Sequence, residues 1–201
     1  MYKQKKAETR TILLEIGLEL FSRRGYNGTG IKEIVDAAKV PKGSFYNYFK
    51  SKEVFADEVI RHYADTLAIR WSGYLDEGPQ TPLEALRYCF ERMIVDYEKS
   101  EIKSGCLIGN LAAEISESSE LCKNTLQQVV LSWQEHIACS LGEAQKSGFV
   151  RTDISAEMLT DFFWSAWEGA LLRMKIDNST TPVRACIAVM FDHICRPHVH
   201  P

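Results

Sequence analysis

The stretch from Thr29 to Glu53, TGIKEIVDAAKVPKGSFYNYFKSKE, constrains this chain more than any other. Its pattern predicts two short helices joined by a tight turn, with a third helix starting at once. Ile31, Ile34, Val35 and Ala38 recur at helical spacing, so a first helix is expected over Ile31 to Ala38. The turn is Lys39-Val40-Pro41. Proline disfavours helical geometry at Val40 and suits the first position of a helix, so Pro41 ends one helix and opens the next. That next helix is expected over Lys42 to Tyr48. Phe45 and Phe49, four apart, can face inward and leave Lys42, Ser44, Tyr46, Asn47 and Tyr48 outside.

Those outward residues have the chemistry that a DNA groove requires. A helix that reads base edges must be slim near its N-terminus, and Gly43 and Ser44 allow close approach. It needs hydroxyl and amide groups for bases and phosphates, with cations beside it to hold the backbone. Lys42, Lys50 and Lys52 supply the cations. A helix-turn-helix explains the whole stretch.

The run VPKGSFYNYFKSKE, preceded by RGYNGTGIKEI, resembles the DNA-binding signature of the TetR family of transcriptional repressors almost residue for residue. The resemblance implies that Ser44, Tyr46 and Asn47 sit on the recognition helix, and that Thr29, Tyr48 and Lys52 hold phosphates. Gly30 departs from the pattern, standing where many relatives carry Ser or Thr. A weaker N-cap is expected there.

Charge follows the same division. Residues 1–52 hold eleven Lys or Arg and five Asp or Glu, a net +6, which leaves −9 for the remainder of a chain of net −3. A DNA-binding head on an acidic body explains this asymmetry, because phosphate contacts need cations in one place. The expected organisation is therefore a head over 1–52 and a body over 53–201. The first head helix, 7–24, carries Ile12, Leu13, Ile16, Leu20 and Phe21 and ends at Gly25. Lys3, Lys5 and Lys6 precede it, as a solvated tail or as further phosphate contacts.

The body reads as all-α. A helix from Ser51 or Lys52 to about Tyr74, through Phe55, Val59, Tyr63, Leu67 and Trp71, would join head to body as one element. Turn formers fill Asp76 to Pro82. Helices are then expected over Pro82–Lys99, Leu107–Ser116, Glu120–Ser147, Ala156–Ile176 and Pro182–Cys195. Leu159, Phe162, Phe163, Ala166 and Ala170, with Ala185, Val189 and Ile194, form stripes suited to core or to a partner. Helix-turn-helix proteins commonly bind two half-sites roughly 34–36 Å apart, which favours a homodimer on palindromic double-stranded DNA. The resemblance also implies a four-helix dimer interface built from the last two helices.

Six cysteines, at 89, 106, 122, 139, 186 and 195, fit neither a zinc pattern nor a disulfide framework. No cofactor or resident metal is expected, although His193, Cys195, His198 and His200 gather near the C-terminal end. No apolar run is long enough to span a membrane and the N-terminus lacks a signal peptide's apolar stretch, so the expected location is the cytoplasm.

Cys106 follows Ser104 and Gly105 where a helix begins, and a helix N-terminus favours the reactive thiolate. The segment SGCLIGNLAAE also resembles the electrophile- and oxidant-sensing branch of the family. The resemblance implies Cys106 as sensor, assisted by Lys175 from the penultimate helix. Similar repressors bind small unsaturated acids reversibly, so covalent and non-covalent effectors both stay open. Trp133, His136, Trp164, Trp167, Tyr88 and Tyr97 are candidates to line an effector cavity or to fill the core. A cysteine-dependent enzyme with His136 as base is the alternative from another class, but nothing else completes its constellation. A DNA-binding activator or architectural protein without an effector is a third.

Overall fold

A computed structural model describes residues 2–100 and 103–197. Among the described residues the chain is helical throughout, without strands. Its helices are α1 (Tyr2–Arg24), α2 (Ile31–Ala37), α3 (Lys42–Tyr46), α4 (Lys52–Glu77), α5 (Pro82–Lys99), α6 (Leu107–Ile115), α7 (Glu120–Lys146), α8 (Ala156–Asp177) and α9 (Thr181–Val189). A π-helical turn over Met190–Ile194 follows α9 directly. The helix expected as one piece to Cys195 is thus two, with Cys195 N–H donating to Met190 O at 2.9 Å. The wider turn lets Met190, Phe191 and Cys195 all be buried. At the other end of the chain, α1 begins earlier than residue 7. The side chains of Lys3, Lys5 and Lys6, and all of His198 and His200, lie outside the described residues.

Two compact units arise, Met1–Leu67 with Cys106–Val129, and Ala68–Gly105 with Val130–Pro201. The packing therefore does not divide at residue 52. Within the first unit, Phe21, Phe45, Phe49 and Phe55 are all at most 1% exposed. Phe55 lies 5.8, 5.2 and 4.8 Å from the rings of Phe21, Phe45 and Phe49 respectively. Gly17 admits this cluster, since a Cβ there would stand 2.4 Å from the Phe55 ring. Of the expected α1 stripe, Leu13 and Phe21 are buried, whereas Ile12 is 45% exposed.

Polar bonds tie α7 to the first turns of α4. The Ser119 hydroxyl donates to Glu53 and accepts from Cys122 N–H, capping α7. Thr125, 1% exposed, donates to Asp57 and accepts from Arg61 at 2.8 Å.

The second unit is built on another aromatic cluster. Phe90 meets Trp71, Phe163 and Trp167 at 5.1, 4.8 and 5.0 Å. Trp167 is 1% exposed and part of this cluster. Outside it, Arg87 pairs with Asp192 at 2.6 Å, and Arg184 with Glu98 at 2.6 Å.

The α2–α3 turn carries a local cost that the sequence did not announce. Lys39 sits in the left-handed region at φ 54, a conformation that disfavours a side chain with a Cβ. Lys39 N–H reaches Asp36 O and Val40 N–H reaches Val35 O at 3.0 Å, which together satisfy the last carbonyls of α2. Lys39→Gly should relieve that cost, raising stability by roughly 0.5–1 kcal/mol after the entropy of glycine is counted. Chemical denaturation of both proteins measures it, and a less stable variant contradicts it.

Candidate DNA-binding surface and sensor region

The buried rings of Phe45 and Phe49 root α3, so everything between and beside them turns outward. Lys42, Gly43, Asn47 and Lys50 are exposed, Tyr46 is 54% exposed, and Ser44 and Tyr48 are half-buried. A Cβ on Gly43 would meet nothing within 4 Å. No packing inside the protein calls for a glycine there. Pro41 is the N-cap of α3 (φ −59, ψ 143), as expected from its position. The helix ends at Tyr46, two residues early. Asn47 is its C-cap, so Asn47 and Tyr48 follow the helix instead of riding on it.

Thr29 and Lys52 do not stand on this surface as open groups. Thr29 is 1% exposed and its hydroxyl donates to Gly25 O at 2.8 Å. Lys52 is half-buried, donates from Nζ to Tyr26 O at 2.5 Å, and lies 4.0 Å from the centre of the Tyr26 ring. Desolvation lowers the Lys52 pKa, and the carboxylates of Glu114 and Glu33 oppose the shift. Burial raises the Tyr26 pKa, with Cys122 and Glu53 adding to the effect. Both Thr29 and Lys52 thus hold the turn between α1 and α2. Gly30 supplies no side-chain cap to α2; the Glu33 carboxylate accepts from Gly30 N–H at 2.8 Å and pairs with Arg24 at 2.6 Å.

Cys106 is the N-cap of α6 (φ −88, ψ 125) and is 7% exposed. Below it, Leu107, Ile108, Leu111 and Ile115 are buried and seat the helix. Burial pushes the thiols of Cys89, Cys186 and Cys195 up to about 11 and raises that of Cys122 too. A raised thiol pKa disfavours the thiolate, the reactive form. Cys106 belongs to the first unit and Lys175, exposed in the last turn of α8, to the second. His136, the candidate base, is exposed on α7 and its Nδ1 lies 2.6 Å from Ser132 O of the same helix. Among the described residues no group of three or more His, Cys, Asp or Glu is placed to hold a metal, and no helix is long and apolar enough to cross a membrane.

The outward face of α8 corrects the expected stripe. Leu159, Phe163 and Ala170 are core, and Phe162 alone of that set is an exposed large side chain. The exposed line runs Met158, Phe162, Ser165, Gly169, Leu172, Ile176, at spacings of four and three. Met158, Phe162, Leu172 and Ile176 are 65, 55, 57 and 73% exposed, with Gly169 open between them. The line is apolar apart from Ser165, the kind of exposed stripe that marks an interaction surface. On α9, Ala185 and Val189 are exposed, the latter 49%.

Comparison with known proteins agrees with this arrangement. Residues 13–59 match the family described as bacterial regulatory proteins, tetR family, and residues 82–190 match the tetracyclin repressor-like C-terminal domain. The HTH-type transcriptional repressor DhaR of Mycobacterium sp. (strain GP1) is 34% identical over 93% of this chain and 92% of its own length. The repressor NemR of Escherichia coli (strain K12) is 28% identical over 99% of this chain and all of its own. A crystal structure of reduced NemR superposes with a TM-score of 0.85 at 26% identity, covering 96% of this chain and 100% of that one. The regulatory protein TetR from Rhodobacter sphaeroides superposes at 0.84, with 32% identity over 91% of this chain and 97% of that one. The chain belongs to the TetR family of transcriptional repressors, which bind operator DNA as homodimers and respond to small-molecule effectors.

Proposed function

We propose that this repressor reads its operator through Lys42, Gly43, Ser44, Tyr46, Asn47 and Tyr48, and leaves it when an electrophile or oxidant modifies Cys106. The observation that carries the DNA reading is the outward set around α3, rooted by two buried phenylalanines and open at Gly43. Within that set Lys42, and beside it Lys50, serve as backbone anchors, whereas Thr29 and Lys52 act from behind it. Residues 1–52 supply the cations and 53–201 carry effector response and pairing, so role divides the chain at 52. Operator DNA lies in the bacterial cytoplasm, which is where such a protein acts. The relatives at this similarity are named transcriptional regulators, and this chain is read as a regulator with them.

For the sensor, the carrying observation is that Cys106 is the N-cap of α6, while burial raises the pKa of Cys89, Cys122, Cys186 and Cys195. A thiolate there would add to a quinone or an unsaturated carbonyl, forming a carbon–sulfur bond. An oxidant would take it to the sulfenic acid, for which the Lys175 ammonium is the proposed partner. A second reading is favoured by the low exposure of Cys106, only 7%: a small unsaturated acid or similar ligand bound reversibly, with no covalent step.

Tyr46→Ala should weaken binding to the protein's own operator by about 10–100-fold, with thermal stability little changed, because the side chain is exposed. Fluorescence anisotropy on a duplex selected by the unaltered protein measures this, and unchanged affinity removes Tyr46 from the reading surface. Cys106→Ser should keep operator binding and lose release by N-ethylmaleimide. Release as ready as before assigns the switch elsewhere. On the pairing face, Phe162→Asp combined with Leu172→Asp should turn a dimer into monomers in sedimentation at micromolar concentration; a dimer that survives both moves the interface off α8.

A further inference from the structure

The turn between α1 and α2 is clasped from two sides by opposite charges. Lys52, the first residue of α4, donates to Tyr26 O. Glu114, in the last turn of α6, accepts from the other end of the same peptide group, Asn27 N–H, at 2.9 Å. The fit is steric as well as polar. Gly25 has φ 72, and a Cβ there would stand 2.0 Å from a Glu114 carboxylate oxygen. The space left by glycine is the space the carboxylate fills. Thr29 closes the turn from within by donating to Gly25 O, and Gly30 then opens α2.

A carboxylate near a helix C-terminus opposes the helix dipole. Near a phosphate-binding surface it also repels DNA. Half-buried, Glu114 offsets both effects through the groups it meets, the Asn27 N–H it accepts from and the Lys52 ammonium it attracts. We propose that Glu114 is a positioning residue for operator binding, fixing the Gly25–Asn27 turn and through it the angle at which α2 and α3 are presented. The proposal rests on the DNA-binding reading and assigns to α6 a part in it that α6 plays without touching DNA. It also accounts for Lys52, whose ammonium holds the carbonyl end of that same peptide group.

The electrostatic and positional roles predict opposite signs, which makes the test decisive. The full-length protein selects a duplex from a random pool, and binding is then measured on that duplex and on a scrambled one. Glu114→Ala should bind the selected duplex at least tenfold more weakly and the scrambled duplex as tightly as before or tighter. Glu114→Gln, which keeps the acceptor, should return to within about threefold of the unaltered protein. The proposal is overturned if Glu114→Ala keeps the original preference, if Gln fails to rescue, or if both duplexes are lost together as a partly unfolded head would give. An unaltered protein that selects no duplex overturns the DNA-binding reading itself and is recognised before any variant is made.

Discussion

The burial of Phe45 and Phe49 against Phe55 is the interaction on which the DNA-binding half depends. A helix of five residues has almost no stability of its own, since nucleation costs more than one turn of hydrogen bonds returns. Two phenylalanine side chains fully removed from water contribute on the order of 3–6 kcal/mol together, enough to hold so short a helix in place. They also fix its rotation. With positions 45 and 49 committed inward, positions 42, 43, 46 and 47 have only the outside left. The reading surface is what remains when the core has taken its share.

This explains why the head was legible from sequence and parts of the body were not. Phe45 and Phe49 at spacing four, Pro41 before them and alternating Lys, Ser, Tyr and Asn around them all agree, so local and tertiary preferences coincide. The bounds of α5 follow in the same way from Pro82 and Lys99. Where several faces of a helix are apolar the pattern underdetermines the answer. On α8, Leu159, Phe162 and Phe163 are equally hydrophobic, and only packing against α9 and the Phe90 cluster decides that Phe162 faces out. The π-helical turn after Val189 was illegible for another reason: it satisfies a tertiary need to bury Met190, Phe191 and Cys195 and leaves no compositional mark.

Thr29, Lys52 and Glu114 show the limit of reading sites one residue at a time. A threonine and a lysine near a recognition helix have the chemistry of phosphate ligands, but the same groups satisfy backbone atoms of a turn equally well. The structure gives them that second task, through Gly25 O and Tyr26 O. Glu114 offered no signal at all, because its partner is a backbone N–H 87 residues away. The glycine at position 25 was the available clue. It reads as an ordinary helix terminator and is in addition the only residue small enough to sit beside that carboxylate.

These positions bear on how little an effector would need to do. Cys106 and Glu114 are eight residues apart on α6, about 12 Å along its axis. The apolar face between them is buried, so a displacement at one end is carried to the other by a single packed helix. Repressors need a coupling free energy of about 1–3 kcal/mol between effector and operator. One hydrogen bond to a charged acceptor contributes roughly 1.5–3 kcal/mol. Should Cys106 be the sensor, disturbing the Glu114–Asn27 bond alone would be of the right size. No unfolding of the head and no wholesale rearrangement of the body is then required, since freeing one turn is enough to let α2 and α3 leave the angle that the operator demands.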